Sequence, residues 1–363
     1  MTKTKNILIN LGILVLVIAA FIGYLSYTGR LGAVSAQIQR VDKFWLLGGF
    51  VALFAYLAFE MLALDQTLKI AHIKVDKPRL VSTTMLGIFF GNLTPSTSGA
   101  QPAQAASLAL GGVPIGRTAS VLLSKFIIFQ AVVTVFAAIM LVFNIGFFRA
   151  AYGNIALLAI VGFVVHFFVL IGLVAAGLFP KWISKLGNAI LNLAKKFKLI
   201  KRMGNKRQRL EDEVQKFASS FKELQHHKVK LVVIAIITGL ELLCLYSVPY
   251  FVIMSMGITD VNYFNILAAT AFVNLIATSV PLPGGSGGAE GAFILFFGHF
   301  VGKGNPAMSA MILWRFITFY FPTIIAAPFI TQLKPKNHFK VLRSESIKCL
   351  SALRNSVISL IAH

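Results

Sequence analysis

Charged residues are scarce in this chain, and acidic ones are the scarcest. Of its 363 residues only 13% are charged, with 12 Asp and Glu against 34 Lys and Arg, while 57% are hydrophobic. A soluble domain needs a largely polar outer shell, so this composition excludes an ordinary water-soluble fold. Apolar runs such as 157–178 are hydrophobic on nearly every face, which also excludes the alternating pattern of barrel strands. The sequence therefore predicts an all-α polytopic membrane protein.

Cysteine is nearly absent, and recognisable cofactor motifs are missing. Cys244 lies in an apolar run and Cys349 in a basic tail, so neither a disulfide nor a zinc site is expected. The seven histidines show no metal-ligand spacing, and no Gly-Lys-Ser/Thr phosphate loop is present. We expect no cofactor, no metal and no ATP-driven chemistry encoded in this chain.

The excess of positive charge lies beside the apolar runs. Segments 181–230 and 334–363 account for more than half of the formal net charge of +22. This is the distribution of the positive-inside rule, and it predicts that both termini are cytoplasmic. No nucleic-acid-binding motif accompanies the charge, so we expect no direct nucleic-acid partner.

Six apolar runs are long enough to cross a bilayer, namely 7–27, 44–64, 118–144, 153–179, 229–256 and 307–332. The first imitates a signal peptide, but it is longer than a usual signal core, and we interpret it as an uncleaved span. Two further stretches, 81–111 and 264–300, are interrupted by Pro and Gly. Each arm of the first has about 14 residues, or ~21 Å, short of the ~30 Å hydrocarbon core. We therefore expect two re-entrant hairpins.

Counting membrane sides makes the first hairpin open inward and the second outward. The prediction is about six full spans and two broken hairpins in an inverted repeat, an arrangement typical of secondary transporters. The membrane domain is predicted over 1–332, with halves 44–144 and 229–332, a basic cytosolic segment 181–228 between them, and a basic amphipathic tail 333–363. The alternative is that the second broken stretch contains two full spans.

The two breaks are candidate binding sites. Irregular backbone at membrane depth is tolerated only inside protein or beside a watery cavity. The half-helices beginning near Ala100 and Gly287 would offer a phosphate free N–H groups and a positive dipole end. The alternative is a pair of tight turns in a packed bundle. We predict a lipid headgroup path lined by Asn92, Thr94, Pro95, Ser98, Gly99, Gln101, Pro102, Glu241, Pro283, Gly284, Gly285, Gly287, Glu290 and Arg315.

Charges inside apolar runs are costly and usually functional. Here they are Glu60, Lys125, Glu241, Glu290 and Arg315, so each half has a carboxylate before its hairpin and a cation after it. Opposite charges could form salt bridges or hold a zwitterionic or cationic headgroup. For the residues near span ends, Glu60 and Lys125, we favour a structural role, either in a buried salt bridge or as a snorkelling end residue. For Glu290 and Arg315, with Glu241 opposite them, we favour a functional role.

The stretches Asn92–Pro102 and Pro281–Glu290, with the later Trp314-Arg315, resemble the lysylphosphatidylglycerol synthase transmembrane-region family, the flippase-like domain of the multiple peptide resistance factor. The resemblance covers most of the chain. Two positions depart from the family pattern, Ala100 where Gly is common and Trp314 where Tyr is frequent. The resemblance implies translocation of lipids, notably aminoacylated phosphatidylglycerol, in a bacterial plasma membrane, and a role in antibiotic resistance.

In full-length members of that family a separate cytosolic domain transfers lysine from charged tRNA to phosphatidylglycerol. Only 333–363 follow the last predicted span, so we expect no such transferase on this chain. The implied partners are an anionic or aminoacylated phospholipid and a cytosolic synthase or glycosyltransferase, and a homo-oligomer is left open. Three alternatives compete. The first is the membrane part of a phosphatidylglycerol lysyltransferase whose catalytic domain is absent from this chain. The others are a membrane enzyme with Glu290 as general base and a scaffold that recruits a cytosolic partner through 181–228.

Overall fold

The computed structural model describes residues 31–153, 156–196 and 227–333, with a few scattered positions between 207 and 222. The predicted first span and the tail beyond Leu333 lie outside the described residues. The helices in chain order are α1 (Leu31–Gln39), α2 (Lys43–Ile70), α3 (Lys77–Leu93), α4 (Ala100–Leu110), α5 (Ile115–Tyr152), α6 (Ala156–Leu178), α7 (Pro180–Lys196), α8 (Lys228–Ser255), α9 (Tyr263–Ser279), α10 (Gly288–Val301), α11 (Asn305–Arg315) and α12 (Phe321–Ala326). Within these residues the secondary structure is helical, as predicted.

Five helical segments of the described part are long and apolar enough to cross a membrane, and they confirm the five predicted runs that fall there. Their outward faces remain apolar, with Phe44 76%, Phe143 82% and Val229 79% exposed in the isolated chain. Apolar surface of this extent needs lipid to cover it. The chain is therefore a membrane-spanning protein.

Helix α2 continues past the predicted 44–64 to Ile70, and α5 is longer than predicted as well. α5 extends beyond 118–144 at both ends, because its flanking arginines do not terminate the helix. Arg117 donates to the carbonyl of Ala71 at 3.0 Å, and Arg149 lies in the last turn, where a cation favours the negative end of the helix dipole. Hydropathy marks the lipid-embedded part of a helix, and polar turns can continue it on either side.

Helices α3 and α4 form hairpin A, and α9 and α10 form hairpin B. The arms have 17 and 11 residues in hairpin A and 17 and 14 in hairpin B. At 1.5 Å per residue they reach about 26, 17, 26 and 21 Å, all short of the ~30 Å hydrocarbon core. The short arms favour a re-entrant form for both hairpins over two full spans.

Hairpin B lies in the centre of the molecule. Phe272, Phe293, Phe296 and Phe297 are fully buried, and the ring of Phe293 stacks on Phe297 at 4.1 Å. The hydroxyl of Tyr152 on α5 donates to the carbonyl of Phe296 at 2.8 Å. Surrounding helices α5, α6, α8 and α11 enclose the hairpin. Enclosure by protein is the condition under which a broken helix is tolerated at membrane depth.

The two halves have the same order of elements and corresponding contacts. Hairpin A packs between α2 and α5, and hairpin B packs between α8 and α11. The first arm of each hairpin also packs on the last span of the other half, α3 on α12 and α9 on α5. Helices α2 and α8, the first spans of the halves, pack along one another. This correspondence is the pattern of an internal repeat; the inverted orientation of its halves across the membrane stays a prediction.

The last span is not a uniform α-helix, although the sequence predicted one continuous run over 307–332. α11 ends at Arg315, a π-helical turn covers Phe316–Tyr320, and a 3₁₀ segment, Ala327–Leu333, follows α12. Pro322 contributes to the irregularity because it has no N–H to donate to the preceding turn. Single π turns in α-helices are frequently found at functional sites.

The basic segment 181–228 begins with helix α7. Its exposed residues include Trp182 and Leu186 beside Lys181 and Lys185. Aromatic and apolar side chains next to lysines suit a helix lying in the headgroup layer.

Candidate functional site

The tips of the two hairpins contain the same type of turn. Tip A is Thr94–Gly99 and tip B is Leu282–Gly287. In each, the second residue is proline, and its carbonyl accepts a hydrogen bond from the N–H of the serine three positions on, at 3.0 Å in tip A and 3.1 Å in tip B. Two residues with positive φ lie between, at 48° and 56° in tip A and 60° and 64° in tip B. This is the geometry of a type I′ turn.

The two tips meet the demand for positive φ with different residues. Tip B uses Gly284 and Gly285, which adopt this conformation without a steric penalty. Tip A uses Ser96 and Thr97, and for β-branched Thr97 the left-handed conformation costs about 1–2 kcal/mol. Strain of this kind concentrates at functional sites. Tip A is therefore a strained copy of a turn that tip B forms without strain.

The tips lie against each other. Pro95 and Pro283 form an isolated antiparallel β-bridge, the one that the described residues contain. The two prolines occupy equivalent positions in their turns, and a twofold axis between the tips would pair equivalent residues in antiparallel directions. Sequence analysis predicted a candidate site at the break in each half, and the structure brings the two tips into contact between the halves.

Side chains close the break in hairpin A and attach it to the other half. The hydroxyl of Thr94 donates to the carbonyl of Phe90 at 2.6 Å and accepts from the N–H of Gly99 at 2.7 Å. The amide of Asn92 donates to the hydroxyl of Thr323 in the last span at 2.8 Å. Of the other predicted residues, Ser98 is exposed at the tip, and Gln101 and Pro102 are half-buried in the first turn of α4.

A buried ion pair lies at tip B. Arg315 Nε contacts Glu290 Oε1 at 2.7 Å, and a second guanidinium nitrogen, Nη2, donates to the carbonyl of Gly284 at 2.9 Å. The guanidinium carbon lies 5.3 Å from the ring centroid of Trp314 and 4.8 Å from that of Phe319. The side chains of Arg315 and Glu290 are only 7% and 19% exposed, so water screens this pair weakly.

Glu290 occupies the position where a phosphate was predicted. α10 begins at Gly288, confirming the predicted half-helix start, and Glu290 Oε2 accepts from the N–H of the N-cap residue Gly287 at 2.6 Å. The carboxylate thus satisfies the positive end of the helix from within the chain. An anionic headgroup at this helix start has to displace Glu290, and the freed carboxylate can then accept a cation.

Tip B needs glycine at two positions because the backbone has positive φ there and because neighbouring atoms leave no space for a Cβ. A Cβ on Gly284 would lie 2.1 Å from a ring carbon of Phe319, and one on Gly285 would lie 2.4 Å from the carbonyl oxygen of Ala277. No side chain fits at either position unless its neighbours move. Tip B is therefore held rigidly against α9 and the last span.

A second charged cluster lies where α2, α5 and α8 meet. Lys125 Nζ lies 2.5 and 2.6 Å from the two carboxylate oxygens of Glu60, so of the two structural roles predicted for this pair the structure shows the salt bridge. Gln104 of hairpin A approaches Glu60 Oε1 at 3.5 Å. Glu241 was predicted to lie opposite Glu290 and Arg315; its charged neighbours in the structure are Glu60 and Lys125. The described residues contain no group of three or more His, Cys, Asp or Glu arranged to hold a metal ion.

Sequence reasoning missed two of the residues that connect this site. Phe319, in the π turn, contacts both halves: its carbonyl accepts from Thr323 at 2.5 Å and, at 3.4 Å, from Asn92, and its ring lies against tip B. Gln104 was missed as well. One available signal was overlooked, the shared pattern Pro-x-x-Ser-Gly at Pro95–Gly99 and Pro283–Gly287, which marks the equivalent turns.

Comparison with known proteins gives one family match. The model described as lysylphosphatidylglycerol synthase TM region matches residues 9–326. The search of curated proteins gives no match.

Proposed function

Because the chain belongs to the lysylphosphatidylglycerol synthase TM region family, we propose that it moves phospholipid between the leaflets of a membrane. The proposed substrate is an aminoacylated phosphatidylglycerol such as the lysyl form, or a related glycolipid. The proposed location is a bacterial plasma membrane with both termini in the cytoplasm. One observation carries the proposal: two broken hairpins, one from each half, meet tip to tip at Pro95 and Pro283 beside a buried ion pair.

The ion pair suits a headgroup that carries both signs of charge. Lysyl-phosphatidylglycerol has an anionic phosphate and cationic amino groups. Arg315 can take the phosphate while Glu290 takes one ammonium, so the internal pair is exchanged for two pairs with the lipid and neither side chain is left unpaired. Arginine is well suited to the phosphate because its guanidinium can bind two oxygens at once. A purely anionic lipid would leave Glu290 without a partner.

The repeated architecture suits movement between two states. A site between two halves can face either side when one half rocks against the other. The acyl tails stay in the bilayer throughout, and only the headgroup passes the tips. Because the lipid must break the internal ion pair before it forms its own pairs, net binding stays weak, and weak binding is needed for release on the far side.

Reconstitution in liposomes tests the proposal. Purified protein is placed in vesicles with lysyl-phosphatidylglycerol in the inner leaflet, and its appearance outside is followed with a membrane-impermeant amine reagent. We expect exposure to be faster than in protein-free vesicles, and Glu290→Gln and Arg315→Met to slow it at least tenfold, about 1.4 kcal/mol in rate terms.

The matched control is Asp65→Asn. Asp65 pairs with Lys69 at 2.6 Å, so this variant makes the same carboxylate-to-amide change at an ion pair whose lysine is 58% exposed. We expect it to transport at the wild-type rate, because exposed pairs contribute little energy. If no lipid moves faster with wild-type protein than without it, the proposal is wrong, and a membrane enzyme or a scaffold for a cytosolic partner becomes the better hypothesis.

A further inference from the structure

The charged cluster between α2, α5 and α8 has one more acidic group than it has basic groups. It contains two carboxyl groups, Glu60 and Glu241, and one ammonium, Lys125. Glu60 is 8% exposed, Glu241 is 2% exposed, and the side chain of Lys125 is 13% exposed. The cluster is therefore shielded from bulk water, and its net charge cannot be compensated by mobile ions outside.

Lys125 forms its salt bridge with Glu60. Both carboxylate oxygens of Glu60 lie within 2.6 Å of its Nζ. This leaves Glu241 without a counter-ion of its own, and its Oε2 is buried with no hydrogen-bond donor. An ionised carboxylate in that position, inside a membrane-spanning helix, is strongly disfavoured.

Glu241 and Glu60 are electrostatic neighbours across the interface between α8 and α2, which pack along one another. Two ionised carboxylates have only acceptor atoms and repel, whereas one proton between them provides a donor and removes the repulsion. One proton also brings the whole cluster to zero net charge. We infer that Glu60 and Glu241 share one proton, which makes this cluster a proton-binding site between the two halves of the chain.

The remaining groups around Glu241 do not supply the missing positive charge. Tyr56 faces it from α2, and Tyr246 and Cys244 lie near it on α8 itself; all three are uncharged in their ordinary form. α9, which also packs on α8, has no charged residue. The cation of α11, Arg315, is held by Glu290. The proton comes from water, resides on Glu241 Oε2 or its partner oxygen, and returns to water.

The position of the cluster links the proton to movement of the halves. Glu60 lies on α2 and Glu241 on α8, the first spans of the two halves, which pack along one another. Loss of the proton places two like charges across this interface and favours separation of the halves; its return favours closure. That the proton drives lipid movement rests on the proposed function, whereas the proton site itself does not.

Infrared spectroscopy of the reconstituted protein tests the site directly. A protonated carboxyl group has a C=O stretch that is distinct from the bands of a carboxylate. We expect wild-type protein at pH 7 to show this band and both Glu241→Gln and Glu60→Gln to lose it, since either variant leaves one carboxylate for one lysine. Asp65→Asn should keep the band.

Lys125→Met gives an independent readout if a glutamine variant does not fold. Without the cation both carboxyl groups need a proton, so we expect the band to grow about twofold. The proton site is wrong if the band of a protonated carboxyl group remains in both glutamine variants. It is also wrong if neither wild type nor Lys125→Met shows the band. Both outcomes hold independently of lipid transport.

A pH gradient across the vesicles separates this inference from the proposed function. With the site intact we expect the gradient to change the rate of lipid exposure in wild type and not in Glu241→Gln. If the band is present but no lipid moves, the proton site stands and the transporter proposal fails. If the rate of lipid exposure in wild type does not change with the pH gradient, the link between proton and lipid movement is wrong, while the proton site and the transporter proposal both stand.

Discussion

Replacement of Gly285 in tip B by alanine is the sharpest test of the hairpin geometry. The residue has φ +64°, and its N–H donates to the carbonyl of Leu282 at 2.9 Å. An added Cβ would lie 2.4 Å from the carbonyl oxygen of Ala277 in α9. That oxygen belongs to the backbone, so no side-chain rotation can relieve the contact.

Two terms set the size of the effect. The left-handed conformation costs a residue with a Cβ about 1–2 kcal/mol. Overpacking against the arm of the same hairpin adds about 1–3 kcal/mol. Together these give a loss of about 2–5 kcal/mol in the free energy of unfolding, or ~4–10 °C in melting temperature at on the order of 2 °C per kcal/mol in a large chain.

Thermal unfolding of the detergent-solubilised protein, followed by tryptophan fluorescence, measures this difference. Gly172→Ala in α6 is the control, because no atom lies within 4 Å of the Cβ it would add. In a helix this change is neutral or stabilising by up to about 1 kcal/mol. Equal melting temperatures for the two variants would refute the reasoning, since they would mean that tip B does not hold Gly285 in the described conformation.

Three further changes give expected outcomes in the same melting assay. Thr97→Gly should keep or raise stability, by about 0.5 kcal/mol after the entropy of glycine is subtracted; a loss as large as that of Gly285→Ala would contradict the equivalence of the tips. Asn92→Leu should cost about 1 kcal/mol by removing the hydrogen bond between hairpin A and the last span, and an unchanged melting temperature would argue against that contact. Arg315→Met should cost about 3 kcal/mol by leaving a buried carboxylate unpaired, and Glu290→Gln in the same chain should restore much of it; no restoration would show that the cost is not electrostatic.

Local sequence signals predicted much of this fold. Hydropathy identified the spans because each lipid-facing helix must be apolar along its own length. The breaks were visible because Pro and Gly act on the backbone within a few residues, and they placed the start of α4 at Ala100 and of α10 next to Gly287. A salt bridge was one of the two structural roles predicted for Glu60 and Lys125, and the structure shows it.

Contacts between distant segments could not be predicted in this way. Nothing local to Pro95 indicates Pro283 as its partner, and nothing local to Glu241 places it with Glu60 rather than with Arg315. These pairings depend on how helices from different halves pack. The π turn that presents Phe319 was missed because its hydrophobic pattern is that of an ordinary span.

The bridge between the tips also has a consequence for how the protein is made. Hairpin A leaves the ribosome long before the residues that cover its tip exist. At about 5–20 residues per second the intervening chain takes on the order of 10–40 s to synthesise. During that interval the strained turn at Ser96 and Thr97 must remain in or near the bilayer without the bridge from Pro95 to Pro283. Assembly of the membrane domain can therefore finish only when the second half arrives, and every nascent chain passes through a half-built stage that lipid alone cannot stabilise.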